Sequence, residues 1–229
     1  MGPCMSIAEK LGVGGYQHKM LNAVIEGDAA TVEELIAKKC PVDLVIPDVE
    51  NTLVHIAAMR GHAEVIRLLC EAGAPIDARN SDNHTALHEA ARHDKGEACK
   101  VLLECGASKS ARANFNENAL HFASKHGGVT AAKALVEGGC KIGAKGKNGY
   151  TALHKAVRNG NTKMVRALLD LGASLSQKTF YRVTPEQLSK TPGVSSDSTR
   201  TLLAARIAQA ERKKKVLKER AAKEAAAAA

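Results

Sequence analysis

Four histidines recur at a constant spacing of 33 residues along the middle of this 229-residue chain. They are His55, His88, His121 and His154, and each closes a short motif that reads TLVH, TALH, NALH or TALH in one-letter code. A fixed period of this length predicts a stacked repeat architecture. Because each unit of such a solenoid contacts mainly its neighbours, we expect the function on an extended surface.

The rest of each period repeats as well. One or two alanines follow each histidine, then a cluster of Leu, Ile and Val, and then a glycine. Glycine adopts the left-handed conformation that ends a helix at little cost, so these glycines predict helix ends. They are Gly73, Gly106, Gly139 and Gly172. The apolar positions predict leucines buried between units, namely Leu68, Leu69, Leu102, Leu135, Leu153, Leu168 and Leu169.

This pattern resembles the ankyrin repeat over about residues 17–190. The resemblance implies an all-α solenoid whose units each contain a helix, a tight turn, a second helix and a projecting β-turn finger. It also implies local hydrogen bonds at the start of each first helix, made by Thr52, His55, Thr85, His88, His121, Thr151 and His154. We expect about six units including caps, at about 17–50, 51–83, 84–116, 117–149, 150–182 and a partial cap from 183.

The two ends of the array are atypical. Residues 1–16 precede the solenoid, which spans 17–191, and residues 192–229 follow it. In the first unit Leu21 takes the place of the histidine and one extra residue lies in the finger; in the last, Gln187 takes that place. Because the last unit lacks its terminating glycine, we predict an unbroken helix from about Ser198 to at least Lys223, which extends beyond the solenoid.

Composition argues against several classes of protein. The six cysteines lie at unrelated repeat positions, which predicts buried thiols rather than a disulfide framework. No apolar run is long enough for a membrane span, and the first residues lack a signal-peptide core. Gly2, Cys4 and Ser6 nominally fit an acylation pattern, but Pro3 makes Gly2 a poor substrate, so we do not expect a lipid anchor. We expect cytoplasmic residence, in the cytoskeleton or another large assembly, rather than the nucleus.

No residue pattern predicts catalysis. His88 and His93 share a helix but miss the i, i+4 spacing of a zinc-peptidase motif by one residue. Cys99 and Cys105 match no common zinc spacing, and the glycine-rich stretch at 12–15 follows no strand. We therefore predict a protein that is not an enzyme and that requires no cofactor or metal.

The first helices and the fingers form the concave face of such a solenoid. Positions on that face change from partly apolar in the first full repeat to basic in the later ones, which predicts an acidic partner there. Arg79 and Arg112 add to the positive charge of the fingers. The candidate contact residues are Arg60, Arg92, His93, Phe122, Lys125, His126, Lys145, Lys147, Lys155, Arg158 and Arg182.

The C-terminal helix is the second candidate surface. From Arg200 onward nine basic residues accompany three acidic ones, in a chain whose net charge is +9. The basic run also fits a nuclear import signal or a clamp for nucleic-acid phosphates, but we favour docking to a protein partner. The candidate contact residues are Arg212, Lys213, Lys214, Lys215, Val216, Leu217 and Lys218.

Two functions fit these patterns. The first is an adaptor that binds an acidic protein within a larger assembly. The alternative is a structural subunit of a ribonucleoprotein, in which the basic tail contacts RNA phosphates. The low aromatic content, 3% of residues, argues against the alternative, because proteins that bind single strands usually stack bases on aromatic side chains.

Overall fold

The computed structural model describes the backbone of residues 15–227 and the side chains of residues 15–221. The acylation pattern at Gly2 and Cys4, and most of the glycine-rich stretch at 12–15, lie outside the described residues. The described part contains twelve α-helices, two short 3₁₀ turns and one two-stranded sheet. The predicted all-α repeat solenoid is confirmed.

The helices are short within the repeats and long only at the C-terminus. Their bounds are α1 Gly15–Glu26, α2 Ala29–Ala37, α3 Leu53–Arg60, α4 Ala63–Glu71, α5 Ala86–Arg92, α6 Gly96–Glu104, α7 Ala119–His126, α8 Val129–Glu137, α9 Ala152–Arg158, α10 Thr162–Asp170, α11 Pro185–Ser189 and α12 Asp197–Ala227. Two 3₁₀ turns, Asn114–Asn116 and Lys147–Gly149, lie in fingers.

The helices form two layers. The first helices of successive units (α1, α3, α5, α7, α9 and α11) pack side by side, and the second helices (α2, α4, α6, α8, α10 and α12) form a parallel layer behind them. Tight turns join the two helices of a unit, and Gly61 and Gly127 adopt the left-handed conformation there. The four glycines that end the periods have φ between 84° and 92°.

The core lies between the two layers and is aliphatic. Leu69, Leu102, Leu135, Leu153 and Leu168 are buried, whereas the predicted burial of two further leucines is wrong. Leu68 and Leu169 are only partly buried against the core. Adjacent residues on a helix point about 100° apart, so only one leucine of each pair faces the interior.

A small hairpin forms in the first finger. The strands β1 (Val45–Ile46) and β2 (Asn51–Thr52) pair antiparallel, and β2 leads directly into α3. Asp48 and Glu50, in the turn between the strands, have positive φ. This hairpin contains the extra residue of the first period.

The last unit ends in the long helix α12. The hydroxyl of Ser196 accepts a hydrogen bond from the backbone N–H of Thr199, which caps the helix start. Leu203 is fully buried against the solenoid, and the guanidinium of Arg200 donates to the carbonyl of Ser189. Beyond Ile207 the described side chains of α12 are exposed. None of the described helices is both long and apolar enough to cross a bilayer.

Candidate functional site: the basic concave face

The repeated histidines hold the units together. The backbone N–H of Thr85 donates to Nδ1 of His88, and Nε2 of His88 lies 3.3 Å from the carbonyl of Glu117 in the next unit. His55, His121 and His154 repeat both contacts, each reaching a carbonyl 29 residues ahead. The resemblance predicted only the local bond; the bond between units is an additional finding. These residues are structural rather than partner-binding.

This arrangement requires neutral imidazoles. Nδ1 of His88 accepts a hydrogen bond from the backbone N–H of Thr85, so it carries no proton, and Nε2 faces a carbonyl oxygen that can only accept a hydrogen bond. A neutral imidazole with its single proton on Nε2 satisfies both contacts. Burial lowers the pKa of His88 to about 4 and that of His121 to about 4. The same cause lowers the pKa values of His55 and His154.

The first helices place basic residues at equivalent positions along the concave face. Arg92, Lys125 and Arg158 lie four residues after their histidines, near the ends of α5, α7 and α9, and all three are exposed. Arg60, His93 and His126 lie one residue further along and are exposed as well. Because the helices are packed side by side, these residues form a row across the concave face.

Two buried carboxylates lie beneath this row. The sequence did not reveal their burial. Oε1 of Glu89 lies 2.7 Å from Nδ1 of His84, and Oε2 faces Arg92 and His93 at 3.9 and 3.8 Å. Within the described residues, Oε2 is the one buried side-chain polar atom without a hydrogen-bond partner. Burial by itself raises the pKa of Glu89, but the bond from His84 and the nearby positive charges outweigh it and lower the pKa.

The second buried carboxylate, Glu117, forms an ion pair with Lys155. The side chain of Lys155 is only 16% exposed. Burial lowers its pKa, although Glu117 opposes that effect. Lys155, predicted to contact a partner, therefore supports the floor of the concave face rather than standing free on it.

Phe122 was predicted to contact a partner, but little of its surface is accessible to one. It is 8% exposed. Its ring packs edge-on against the rings of His84 and His88, with centroids 4.7 and 5.2 Å away. Glu89 is buried at the same position of its unit, and both side chains contact the imidazole of His84, at the end of the finger that precedes α5.

A pocket lies between α7 and α9, where the basic row meets a finger. Its volume is 440 Å³. Its basic lining residues are Lys125, Lys147, Lys155 and Arg158, and Glu117 is its single carboxylate. The pocket therefore carries an excess of positive charge.

The finger cations divide into two groups. Arg79 donates to the carbonyl of Arg112, which in turn donates to the carbonyl of Lys145, so the two arginines link successive fingers. Their spacing of 33 residues was the available signal for this structural role. Lys145 and Lys147 instead lie over aromatic rings of neighbouring fingers.

Half of the chain's six Phe and Tyr residues are exposed on the fingers. Phe115, Phe180 and Tyr181 are 65 to 71% exposed. Lys147 Nζ lies 4.1 Å from the centre of the Phe115 ring, and Lys145 Nζ lies 5.8 Å from that of Phe180. Arg182 is exposed beside them with a positive φ of 60°. The fingers therefore combine positive charge with aromatic surface.

The tail presents its predicted residues to solvent. Residues 212–218 are all exposed, including Val216 at 61% and Leu217 at 65%. Lys215 and Glu219 lie four residues apart and form an ion pair, with Nζ 3.9 Å from Oε1, which stabilises the helix there.

Metal ligands do not cluster in the described residues. No group of three or more His, Cys, Asp or Glu side chains that could hold a metal ion occurs there. Cys40, Cys70, Cys99, Cys105 and Cys140 are free and at least partly buried.

Comparison with known families identifies the repeats. The family model described as ankyrin repeats (3 copies) matches residues 20–113 and 108–179, which is more than half of the chain. No curated protein matches the chain.

Proposed function

The chain belongs to the ankyrin-repeat family, and on that premise we propose that it is an adaptor that binds an acidic surface of a protein partner. Ankyrin repeats generally mediate protein–protein interaction and are typically non-enzymatic. Binding, rather than catalysis, is therefore the role that we assign to the concave face, without a cofactor. We place the adaptor in the cytoplasm, as a subunit of a larger assembly.

The observation that supports this proposal is which charged side chains of that face are exposed and which are already paired. Arg60, Lys125 and Arg158 are exposed, and in the described part of the chain none of them lies within ion-pair distance of a carboxylate. Two acids beneath these cations, Glu89 and Glu117, are buried and already face basic groups of the same chain, whereas Asp82 of a finger is exposed. An acidic partner would therefore meet exposed cations, and such complementarity increases both association rate and specificity.

Reversing the charge of the basic row tests this proposal. We expect the triple variant Arg92→Glu, Lys125→Glu and Arg158→Glu to lose its partner in affinity purification followed by mass spectrometry. Lys125 and Arg158 are exposed and lie in no ion pair of the described residues, so each of those two substitutions should change the free energy of unfolding by less than about 0.5 kcal/mol. Arg92→Glu should cost more stability, because it replaces a positive charge 3.9 Å from the buried carboxylate of Glu89 with a negative one.

A matched control is available on the opposite face. Lys133, Lys163 and Arg166 are exposed on α8 and α10, and the same reversal there should leave the partner bound. Normal partner recovery by the concave variant would refute the assignment of this face. Circular dichroism would verify that both variants are folded.

The tail supports a second contact. Because its charged residues and its apolar pair Val216 and Leu217 are exposed, we expect deletion of residues 209–229 to weaken assembly but to leave the unfolding midpoint nearly unchanged. Raised salt should mimic the deletion, since exposed charge pairs are screened. Unfolding or aggregation of the truncated chain would show that the helix completes the fold, which would contradict a docking role.

A ribonucleoprotein subunit is the second candidate function. The observation in its favour is the exposed aromatic surface on the fingers beside Lys145 and Lys147, because single-strand binders combine stacking rings with positive charge. The salt dependence of binding to single-stranded RNA, measured with and without residues 209–229, separates the two functions. A steep slope that becomes shallower in the truncated chain would favour the ribonucleoprotein, since that slope counts neutralised phosphates.

A further inference from the structure

We propose that the pocket between α7 and α9 is a phosphate-ester site that receives a phosphorylated serine or threonine of the acidic partner. This inference rests on the proposed function and specifies which acidic group the concave face recognises.

The charges of the pocket favour a dianion. Lys125, Lys147 and Arg158 line it, together with Lys155, whose charge is already matched by Glu117. A single carboxylate would neutralise only one of the three remaining cations. A phosphate monoester carries between about −1.5 and −2 charges at pH 7 and offers three strong acceptor oxygens, so one group can satisfy several cations together.

The donors around the pocket are held in position. The Lys155 ammonium is fixed by Glu117, and that of Lys147 lies over the Phe115 ring. The amide of Asn159 donates to the carbonyl of Lys125 at 2.7 Å, which ties α9 to α7. Groups that are already ordered lose less conformational entropy on binding, which favours affinity.

Arg158 adds geometric selectivity. Its planar guanidinium can donate two parallel hydrogen bonds to a phosphate, whereas lysines act as point charges. It is exposed at the end of α9, on the concave face, and lines the pocket. A side chain of a peptide that lies along that face can therefore reach it.

The equivalent place one unit earlier lacks this excess of positive charge. The pocket between α5 and α7 is 280 Å³ in volume, and Asp82 and Glu117 are among its lining residues. Its Arg92 occupies the position that Arg158 occupies in α9, but Arg92 lies 3.9 Å from the buried carboxylate of Glu89. Arg92 is therefore a control matched in residue type and repeat position.

The experiment measures binding of three fluorescein-labelled pentapeptides to the full chain by fluorescence anisotropy. Each has two glutamates on either side of a central phosphoserine, serine or glutamate. We expect the phosphoserine peptide to bind at least about tenfold more tightly than the glutamate peptide, since the phosphate has a larger negative charge and a third acceptor oxygen, and so can make a charge-assisted hydrogen bond that the carboxylate cannot. Arg158→Gln and Lys125→Gln should each remove most of this preference, and Arg92→Gln should leave it in place.

The other outcomes overturn the inference in distinguishable ways. Equal binding of the phosphoserine and glutamate peptides, weakened by both pocket substitutions, would refute phosphate recognition but leave the acidic-partner function standing. A phosphoserine preference that survives both substitutions would place the site elsewhere. Binding of inositol hexakisphosphate that depends on Arg158, without binding of the phosphopeptide, would assign the pocket to a soluble phosphate ester. A separate result would refute the proposed function itself: normal recovery of the partner by the charge-reversed triple variant.

Discussion

Lowering the pH from 7 to 5 is expected to destabilise the folded chain by about 4 kcal/mol through two of its repeated histidines. His88 and His121 have pKa values of about 4 in the folded chain, and a histidine in an unfolded chain titrates near 6.5. Above pH 6.5 both states are neutral and the full stability is present. Between pH 6.5 and about 4 the unfolded chain gains protons that the folded chain does not, so stability falls.

The loss per histidine is about 2 kcal/mol at pH 5, because one pH unit corresponds to about 1.4 kcal/mol. Below about pH 4 both states are protonated at these two sites and they contribute no further change. The pKa values of His55 and His154 are lowered in the same direction and should add to the loss. Urea unfolding curves at several pH values between 7 and 4 would measure it.

Glutamine is a suitable replacement for a repeated histidine in a control variant, because one unit of the chain already has glutamine at that position. Gln187 occupies the histidine position of the last unit, where its Oε1 accepts from the backbone N–H of Thr184 at 2.9 Å. His88→Gln should therefore keep the local bond with Thr85, although it loses the contact with Glu117 and some stability at pH 7. The difference in stability between pH 7 and pH 5 should shrink by about 2 kcal/mol. If the difference in stability between pH 7 and pH 5 did not change, the pKa of His88 would not be lowered in the folded state.

Much of this fold could be predicted from sequence because a constant period assigns the same role to each equivalent position. The alternation of helices, the buried leucines of the second helices and the long last helix all depend on local patterns that repeat. The absence of a glycine after Leu203 was enough to predict that α12 continues beyond the solenoid. Such features depend on residues that are close together in the sequence.

The composition of the candidate site was harder to predict, because burial there depends on contacts between units. Glu89 and Phe122 share a position in successive repeats, and both are buried against His84, at the end of the finger that precedes α5. Glu117 pairs with Lys155, which lies 38 residues away. A local pattern shows which face a residue is on but not whether a finger covers it.

Replacing Leu102 by alanine is expected to lower the free energy of unfolding by about 2–5 kcal/mol, the usual range for a fully buried leucine. Leu102 lies in α6, between α4 and α8, and no part of it is exposed. The loss combines the transfer of the apolar side chain with a cavity that two packed helix layers cannot fill by collapsing. Denaturant unfolding of the full chain would measure it.

The adjacent Leu103 is the matched control. It is only partly buried, so Leu103→Ala removes the same atoms from the same helix and should cost clearly less, about 1–2 kcal/mol. Because each unit of a solenoid contacts mainly its neighbours, Leu102→Ala should also release the units beside α6 first. Hydrogen exchange would detect this as lost protection in α6 and α8 before α2. Equal destabilisation by the two substitutions would contradict the two-layer packing in which one leucine of each pair faces the core.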